Sequence, residues 1–321
     1  MQLLLKFLAR ALVAIVWLVV FMGVGYEGGW VFCAGVALVS LVALHEYYSS
    51  LRLKGIRPTG RLGWFCALLL LVITQLSTTV PPTQMPPGDG HLGWAVFNGE
   101  GALHLTLLVL LFCVAGSMVS QFRKPEALSA VTNSATTVFG VVYIGLLFSF
   151  LLRMRYVDVA GLMQQQHGIV PALVVYPWGA ELWHRMGSLI FVIGPVWLGD
   201  TMAFVVGGIW GRHPLAPRIS PGKTIEGAIA ALIAAVAGAV LVGWWLGMGL
   251  VVSAGLGLMM GSVGQMGDLS KSVLKRDLGI KDFGTIFGPH GGVLDRFDAI
   301  LFSLPLVYWY FWFLVMKVGH G

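Results

Sequence analysis

Long apolar segments of about the length of a membrane-spanning helix dominate the sequence, and short charged segments separate them. About 20 mainly apolar residues are needed to cross the hydrocarbon core as a helix, and lipid forces each backbone polar group to bond within its own structure. Hydrophobic residues make up 57% of the chain and charged residues only 11%, which excludes a soluble enzyme. We therefore predict an all-α, polytopic integral membrane protein.

About nine spans are predicted from these apolar segments. They cover roughly 9–26, 29–46, 62–77, 101–120, 135–153, 187–208, 225–247, 248–267 and 294–316. The first resembles a signal peptide, but no A-x-A-like cleavage site follows it, so we interpret it as an uncleaved helix. The third is short enough to be re-entrant, and the path of residues 154–186 is left open.

The distribution of Lys and Arg predicts an orientation, because short cytoplasmic loops carry the excess of positive charge. With the N-terminus inside, all but four of the 20 basic residues lie on the cytoplasmic side. The four on the outside are Arg153, Arg155, Arg185 and Lys317. The prediction is therefore N-in and C-out, with anionic lipid headgroups and phosphate ligands, not nucleic acid, as the partners of the basic residues.

Acidic residues are concentrated near the C-terminal spans, where seven of the 14 follow residue 199. Ionisable groups at membrane depth cost roughly 2.5 to 3.5 kcal/mol each on insertion scales. A solvated cytoplasmic face would account for the neighbouring lysines, but it would not account for the carboxylates. The cluster therefore indicates a water-filled site or a ligand.

One face of the eighth predicted helix carries Gly261, Gly264, Asp268, Ser272 and Lys275 at intervals of three or four residues. Glycines on this face allow a neighbouring backbone or a ligand to come close. A carboxylate, a hydroxyl and an ammonium on one stripe favour a site for phosphate and a cation. The alternative is an Asp–Lys arrangement within the helix that binds no ligand.

The segment from Lys281 to Asp298 carries the more specific pattern. Gly291 and Gly292 supply flexible backbone N–H groups directly before the last helix, which suits an anion. Asp295 and Asp298 follow at i and i+3, and capping a helix would require only one of them. Carboxylates without Cys or clustered His favour Mg²⁺ bound together with substrate phosphates. No P-loop or protein-kinase motif is present.

These residues resemble the signature of the phosphatidate cytidylyltransferases, or CDP-diacylglycerol synthases. The similarity runs from Ser272 through Lys275-Arg276, Lys281-Asp282, Gly284, Gly288 and His290-Gly291-Gly292 to Asp295-Arg296 and Asp298. Two upstream segments are similar as well: Asp200 to Phe204 leading to Ser220 to Gly227, and His45 to Tyr48. The sequence departs from the family pattern at Gly222, where a second Lys is common, and at Phe204, where Tyr is common.

The resemblance implies that phosphatidate attacks the α-phosphorus of CTP with Mg²⁺, giving CDP-diacylglycerol and pyrophosphate. Together with the predicted spans, it divides the chain into N-terminal helices over 1–120, a middle helix with connecting segments over 121–186, and a catalytic membrane domain over 187–321. The active site would face the cytoplasm at the bacterial inner membrane. A monovalent cation beside Mg²⁺ and a homodimer are left open.

The resemblance also assigns roles to residues. Asp268, Asp295, Lys275 and Arg276 are the catalytic candidates, with Asp268 and Asp295 as the metal ligands. Lys223, Ser272, Lys281, His290, Gly291, Gly292 and Arg296 are the substrate-binding candidates, and Asp200, Asp282 and Asp298 the supporting ones. His290 would either contact the triphosphate or brace the turn, and Asp282 would pair with Lys281.

Two other functions remain as alternatives. A secondary transporter also places charges and glycine-broken helices near the midplane, but here the charges crowd at helix ends and no inverted repeat is evident. A CTP-dependent polyprenol kinase would use a related nucleotide site and transfer the γ-phosphate instead.

Overall fold

The computed structural model describes residues 19–79, 99–123, 129–159, 177–286 and 291–319. Within them are eight helices long and apolar enough to cross a membrane, which confirms the predicted all-α polytopic fold. The helices are α1 (Gly29–Leu53), α2 (Gly60–Thr79), α3 (Gly99–Val119), α4 (Ala130–Arg155), α5 (Pro177–Trp210), α6 (Ile225–Trp245), α7 (Leu250–Leu278) and α8 (Leu294–Gly319). Most of the predicted span 9–26 lies outside the described residues, although residues 19–27 are helical.

Several helices are longer than the apolar segments that predicted them. The third predicted span corresponds to α2, which has 20 residues and is long and apolar enough to span, so its length favours a full span over a re-entrant segment. Helix α5 begins at Pro177 instead of 187, and α7 continues to Leu278 instead of 267. The apolar segment of α7 ends at its first charged residues, but the helix continues until Gly279, whose φ of 70° ends the helix in a left-handed cap.

The loops that the charge count predicts on one side do meet at one end of the bundle. We call this the site end: α1, α3, α5 and α7 finish there, and α2, α4, α6 and α8 begin there. The Lys54 ammonium bonds the Asp277 carboxylate at 2.8 Å, and the Arg57 backbone N–H donates to the Asn133 amide oxygen at 2.8 Å. These contacts tie the α1–α2 turn to the end of α7 and to the start of α4.

A short antiparallel hairpin interrupts the helical architecture at the site end. Its strands are β1 (Pro214–Ala216) and β2 (Ser220–Thr224), and they fall within the segment between α5 and α6. The Thr224 hydroxyl then caps α6 by accepting a bond from the Gly227 N–H. The hairpin is thereby fixed directly to the start of α6, with Lys223 on its second strand.

Glycines allow α6, α7 and α8 to pack with their backbones in contact. A Cβ on Gly257 would lie 2.7 Å from the Val236 Cα, and one on Gly267 would lie 2.9 Å from the Asp298 carbonyl oxygen. The Cβ position of Gly261 is within 3.0 Å of the Ala235 Cβ. The predicted glycine face therefore serves close helix approach, and it brings the charged ends of α7 and α8 together.

Helix α4 contains one irregular turn, a π-helical segment over Val141–Leu146. Such wide turns are rare and frequently occur at functional sites. The segment places Gly145 against Ala67 of α2, where a Cβ would come within 2.9 Å of the Ala67 Cβ, and it places Tyr143 against α8.

Candidate active site

Lys271 lies at the centre of the charged residues at the site end. Its side chain is only 7% exposed, and its ammonium lies 3.4 Å from an Asp268 oxygen and 3.9 Å from an Asp295 oxygen. The carboxylate of Asp298 pairs with the same ammonium at closer range. Asp268 precedes Lys271 by one turn of α7, whereas the other two carboxylates come from the first turns of α8. Three carboxylates thus converge on one cation.

Two further lysines complete what we call the lysine–aspartate cluster: Lys223, Lys271, Lys275, Asp268, Asp295 and Asp298. Lys223 reaches from the hairpin to Asp268, and Lys275 lies 3.0 Å from Asp295. The cluster holds three carboxylates and three ammonium groups, so it is formally neutral. Removing one partner from such a set leaves an uncompensated buried charge, which typically costs about 3 to 5 kcal/mol.

Asp295 also organises the turn before α8. Its Oδ2 accepts hydrogen bonds from the Phe283 N–H at 2.9 Å and from the Gly292 N–H at 3.0 Å. Gly291 has a φ of 81°, and a Cβ there would come 2.8 Å from the same oxygen. Glycine is therefore required at this position both by conformation and by the close approach of the carboxylate.

Glu46, near the end of α1, binds the start of α8. It is 4% exposed, and its two oxygens accept bonds from the Val293 and Leu294 N–H groups, both at 3.1 Å. These are donors that a helix start leaves without internal partners, and a carboxylate is favoured there by the helix dipole. A Cβ on Gly284 or on Gly292 would collide with the Glu46 carboxylate.

Most of the predicted site residues come together. Asp268, Lys275, Asp295, Lys223 and Asp298 all belong to the cluster. The Asp282 carboxylate lies 3.6 Å from the Lys275 ammonium, which joins it to the edge of the cluster. The expected Asp282–Lys281 pair is therefore wrong as the main contact, because the turn directs Asp282 back toward α7.

Other predicted residues lie around the cluster. The Arg276 Nε donates to the Ile219 carbonyl oxygen at 3.0 Å, which links α7 to the hairpin. The Ser272 hydroxyl donates to the Asp268 carbonyl within α7. Asp200 of α5 lies within electrostatic range of Asp268, Asp298 and Lys271.

Lys281 and Arg296 are exposed, and Gly291 and Gly292 form the buried turn between them. His290 lies outside the described residues.

Sequence reasoning missed two residues of this site. Lys271 is not among the predicted site residues, although its spacing of three residues from Asp268 indicates a pair. Glu46 is not among them either, because its partners are 247 and 248 positions away in the chain. No local spacing pattern can detect a contact of that kind.

The donor set suits a hard cation, although the described residues contain no group of three or more Asp, Glu, His or Cys arranged as a closed metal site. Mg²⁺ usually takes one or two carboxylates and completes its shell with substrate phosphates and water. Asp268 and Asp295, which converge on the Lys271 ammonium, have the chemistry for such a partial site. The side chain of Asp268 is the more open, at 34% exposed against 6% for Asp295.

Within the described residues, eight helices of spanning length with a cluster of lysines and aspartates at one end define a polytopic integral membrane protein with a charged site at that end. The chain belongs to the cytidylyltransferase family, whose model matches residues 8–314. This confirms the family predicted from the motifs and, with it, the class of nucleotidyltransferase.

Named relatives agree over most of the chain. The phosphatidate cytidylyltransferase of Synechocystis sp. is 34% identical over 289 residues, which cover 88% of this chain and 89% of that protein. The phosphatidate cytidylyltransferase of Staphylococcus aureus is 28% identical over 93% of this chain and 96% of that protein. Phosphatidate cytidylyltransferase 5, chloroplastic, of Arabidopsis thaliana is 29% identical over 89% of this chain and 67% of that protein.

Proposed function

We propose that the protein is a phosphatidate cytidylyltransferase, which converts CTP and phosphatidate into CDP-diacylglycerol and pyrophosphate. The observation that carries the proposal is the lysine–aspartate cluster on α7, α8 and the hairpin, in a chain of the cytidylyltransferase family. The cluster lies at the end of a membrane bundle, where a water-soluble nucleotide and a lipid phosphate can both reach it.

The chemistry needs positioning and charge neutralisation more than proton transfer. A phosphate monoester is largely dianionic near pH 7, since its second pKa is about 6, so the attacking oxygen needs no general base. A phosphate oxygen of phosphatidate forms a bond to the α-phosphorus of CTP, and the bond from that phosphorus to the pyrophosphate oxygen breaks. Groups that hold the two substrates in line can supply much of the rate acceleration.

We assign the positively charged groups around the cluster to the triphosphate. Lys223 and Lys275 end within the cluster, and Arg276, Lys281 and Arg296 lie around it. Because the cluster itself is formally neutral, the outer three groups provide the excess positive charge that a polyanionic nucleotide requires. Lys271 holds the three carboxylates in place and is the positioning residue of the site.

Asp268 and Asp295 would hold Mg²⁺, which, when bound, neutralises phosphate charge and polarises the phosphoryl group. Asp268 is the more accessible of the two, and its present partners are ammonium groups. Asp295 has a second task, because its Oδ2 fixes the Gly291-Gly292 turn against Phe283. Asp298 and Asp200 support these carboxylates.

We further propose that the site end faces the cytoplasm, where CTP is present. The basic loops predicted to be inside converge at this end, which supports the assignment. We place it in a bacterial cytoplasmic (inner) membrane, since two of the named relatives are bacterial.

The test is a product assay with purified protein in detergent, phosphatidate, Mg²⁺ and CTP labelled separately at the α- and γ-phosphates. We expect the α-label in a CDP-lipid and the γ-label in pyrophosphate. Transfer of the γ-label to lipid, with release of CDP, would establish a kinase instead. Absence of label from the lipid with either CTP would refute nucleotidyl transfer to phosphatidate.

A further inference from the structure

An apolar cleft lies beside the lysine–aspartate cluster, deeper along the same helices. It has a volume of about 330 Å³ and is lined by Phe139 and Tyr143 of α4, Ser270, Val273 and Leu274 of α7, and Phe302 of α8. This volume is at the lower end of the range for small-molecule sites, which is about 300 to 1,000 Å³. Val273 and Phe139 are 46% and 43% exposed, so the cleft is open at the side of the bundle.

The cleft lies on the same helices as the charged site. Ser270 and Leu274 directly precede Lys271 and Lys275 in α7, and Phe302 follows Asp298 by one turn of α8. At 1.5 Å per residue, Phe302 lies about 12 Å along α8 from its start, whereas Asp295 lies in the first turn. A ligand could therefore place an anionic end among the charges and an apolar part in the cleft.

Tyr143 gives the cleft a second polar group beside the Ser270 hydroxyl, which donates to the Met266 carbonyl oxygen. Tyr143 is 6% exposed, and its hydroxyl is buried without a hydrogen-bond partner among the described residues. Its ring packs against Phe139 at 5.3 Å and against Phe302 at 5.9 Å between centroids, so the position of the hydroxyl is set by packing alone. A buried hydroxyl without a partner costs free energy, which indicates that a ligand supplies the bond.

The backbone of α4 is irregular at this residue. Tyr143 lies within the π-helical turn Val141–Leu146, and Asp298, Asp295 and Asp268 are within electrostatic range of it. The wide turn thus occurs where α4 faces the site, in keeping with the association of such turns with function.

We propose that this cleft binds the glycerol backbone and the first methylenes of an acyl chain of the lipid phosphate acceptor, with the Tyr143 hydroxyl donating to an ester carbonyl. The proposal rests on the proposed function and adds a recognition site for the lipid. The occupant is a substrate lipid and not a structural membrane lipid, because the cleft shares α7 and α8 with the groups that hold the phosphate.

The first test is Tyr143→Phe, which removes the hydroxyl and keeps the ring. We expect the KM for long-chain phosphatidate to rise about two- to tenfold, the value of one neutral hydrogen bond, with the KM for CTP unchanged. Tm should stay equal or rise, since the hydroxyl has no partner in the protein. An unchanged KM for phosphatidate, or a fall in Tm with equal loss for both substrates, would overturn the assignment.

The second test fills the cleft. Val273→Trp is compared with Val251→Trp, which adds the same volume to an 84% exposed position on the same helix, at the far end from the cleft. We expect Val273→Trp to raise the KM for phosphatidate at least fivefold and to leave the KM for CTP nearly unaffected. Equal loss for CTP and phosphatidate, or equal loss in the Val251→Trp control, would contradict the proposal.

Wild-type turnover separates this proposal from the proposed function. If the wild-type protein makes no CDP-lipid from phosphatidate, the function itself fails. If the wild type makes CDP-lipid and both variants behave like the wild type, only the proposed lipid-binding role of the cleft is refuted. A binding measurement in nanodiscs tests the cleft without catalysis. Retention of spin-labelled phosphatidate should be lower in Val273→Trp than in the wild type, and retention of spin-labelled phosphatidylcholine should be the same in both. Equal reduction for both lipids would assign the cleft to a structural lipid.

Discussion

Removing the Glu46 carboxylate should uncouple the N-terminal helices from the start of α8. Glu46→Ala deprives the Val293 and Leu294 N–H groups of their acceptors. Loss of a helix cap costs about 1 kcal/mol, and a buried donor left unsatisfied costs about 1 to 3 kcal/mol, so we expect a loss of roughly 2 to 4 kcal/mol. Glu46→Gln keeps one oxygen acceptor and should cost about half as much.

The effect on activity follows from what lies next to these donors. Gly292, which precedes Val293, donates to Asp295, so a displaced turn also moves Asp295. We expect a large fall in kcat and a smaller change in the KM for CTP. Glu46→Ala should be more damaging than Glu46→Gln. Thermal unfolding in detergent and steady-state kinetics measure the two effects separately. Glu27→Ala, at an exposed carboxylate, is the matched control.

A double-mutant cycle sharpens this test. The atoms nearest to a Cβ on Gly292 all belong to the Glu46 carboxylate, and the φ of Gly292 is not in the left-handed region. Gly292→Ala should therefore be damaging in the wild type and less damaging in the presence of Glu46→Ala, giving a non-additive cycle. Strict additivity, or a Glu46→Ala variant that matches Glu27→Ala in stability and kcat, would refute the reasoning.

Four further outcomes follow from the cluster and its surroundings. Lys271→Met leaves the buried Asp295 and Asp298 and the partly exposed Asp268 without their common cation, and we expect a loss of about 3 to 5 kcal/mol in unfolding experiments; a stable, active variant would contradict its central role. Asp268→Asn should abolish turnover in a folded protein at saturating Mg²⁺, and activity near that of the wild type would exclude it as a metal ligand. Arg276→Ala should lower kcat/KM for CTP by a factor that corresponds to roughly 2 to 4 kcal/mol of lost transition-state stabilisation, whereas Arg52→Ala should leave it unchanged. Equal losses would show that both side chains contribute only to the general positive charge of the cytoplasmic loops. Thr285→Cys in a Cys-free background should react with an impermeant thiol reagent only after cell lysis, and labelling in intact cells would reverse the proposed orientation.

The helices and most of the cluster could be predicted from sequence because both depend on local patterns. Nine spans are predicted from apolar segments of membrane length. Eight of them are present among the described residues, and the first, 9–26, lies largely outside those residues. Asp268 and Lys275 lie two turns apart on one helix, and Asp295 and Asp298 lie three residues apart on another, so periodicity identified both pairs.

What sequence reasoning could not supply was contact between distant segments. Glu46 and the Tyr143 cleft depend on how α1 and α4 pack against α7 and α8, which no spacing reveals. Helix ends were also misplaced where charges continue a helix beyond its apolar part, as in α7. Hydropathy measures transfer into lipid, whereas helix ends depend on caps such as Gly279.

The internal pairing of the lysine–aspartate cluster has a consequence for how a nucleotide enters. Every lysine of the cluster already has a carboxylate, and every carboxylate already has a lysine. An arriving triphosphate therefore meets no unpaired lysine within the cluster, and its entry can proceed as an exchange of ionic partners. Lys223 leaves Asp268 for phosphate, and Asp268 becomes free to hold a cation that accompanies the nucleotide. Since ion pairs are replaced and not created, little additional desolvation is required. The hairpin, held by α6 and α7, would then serve as a fixed platform from which the Lys223 side chain changes between its two partners.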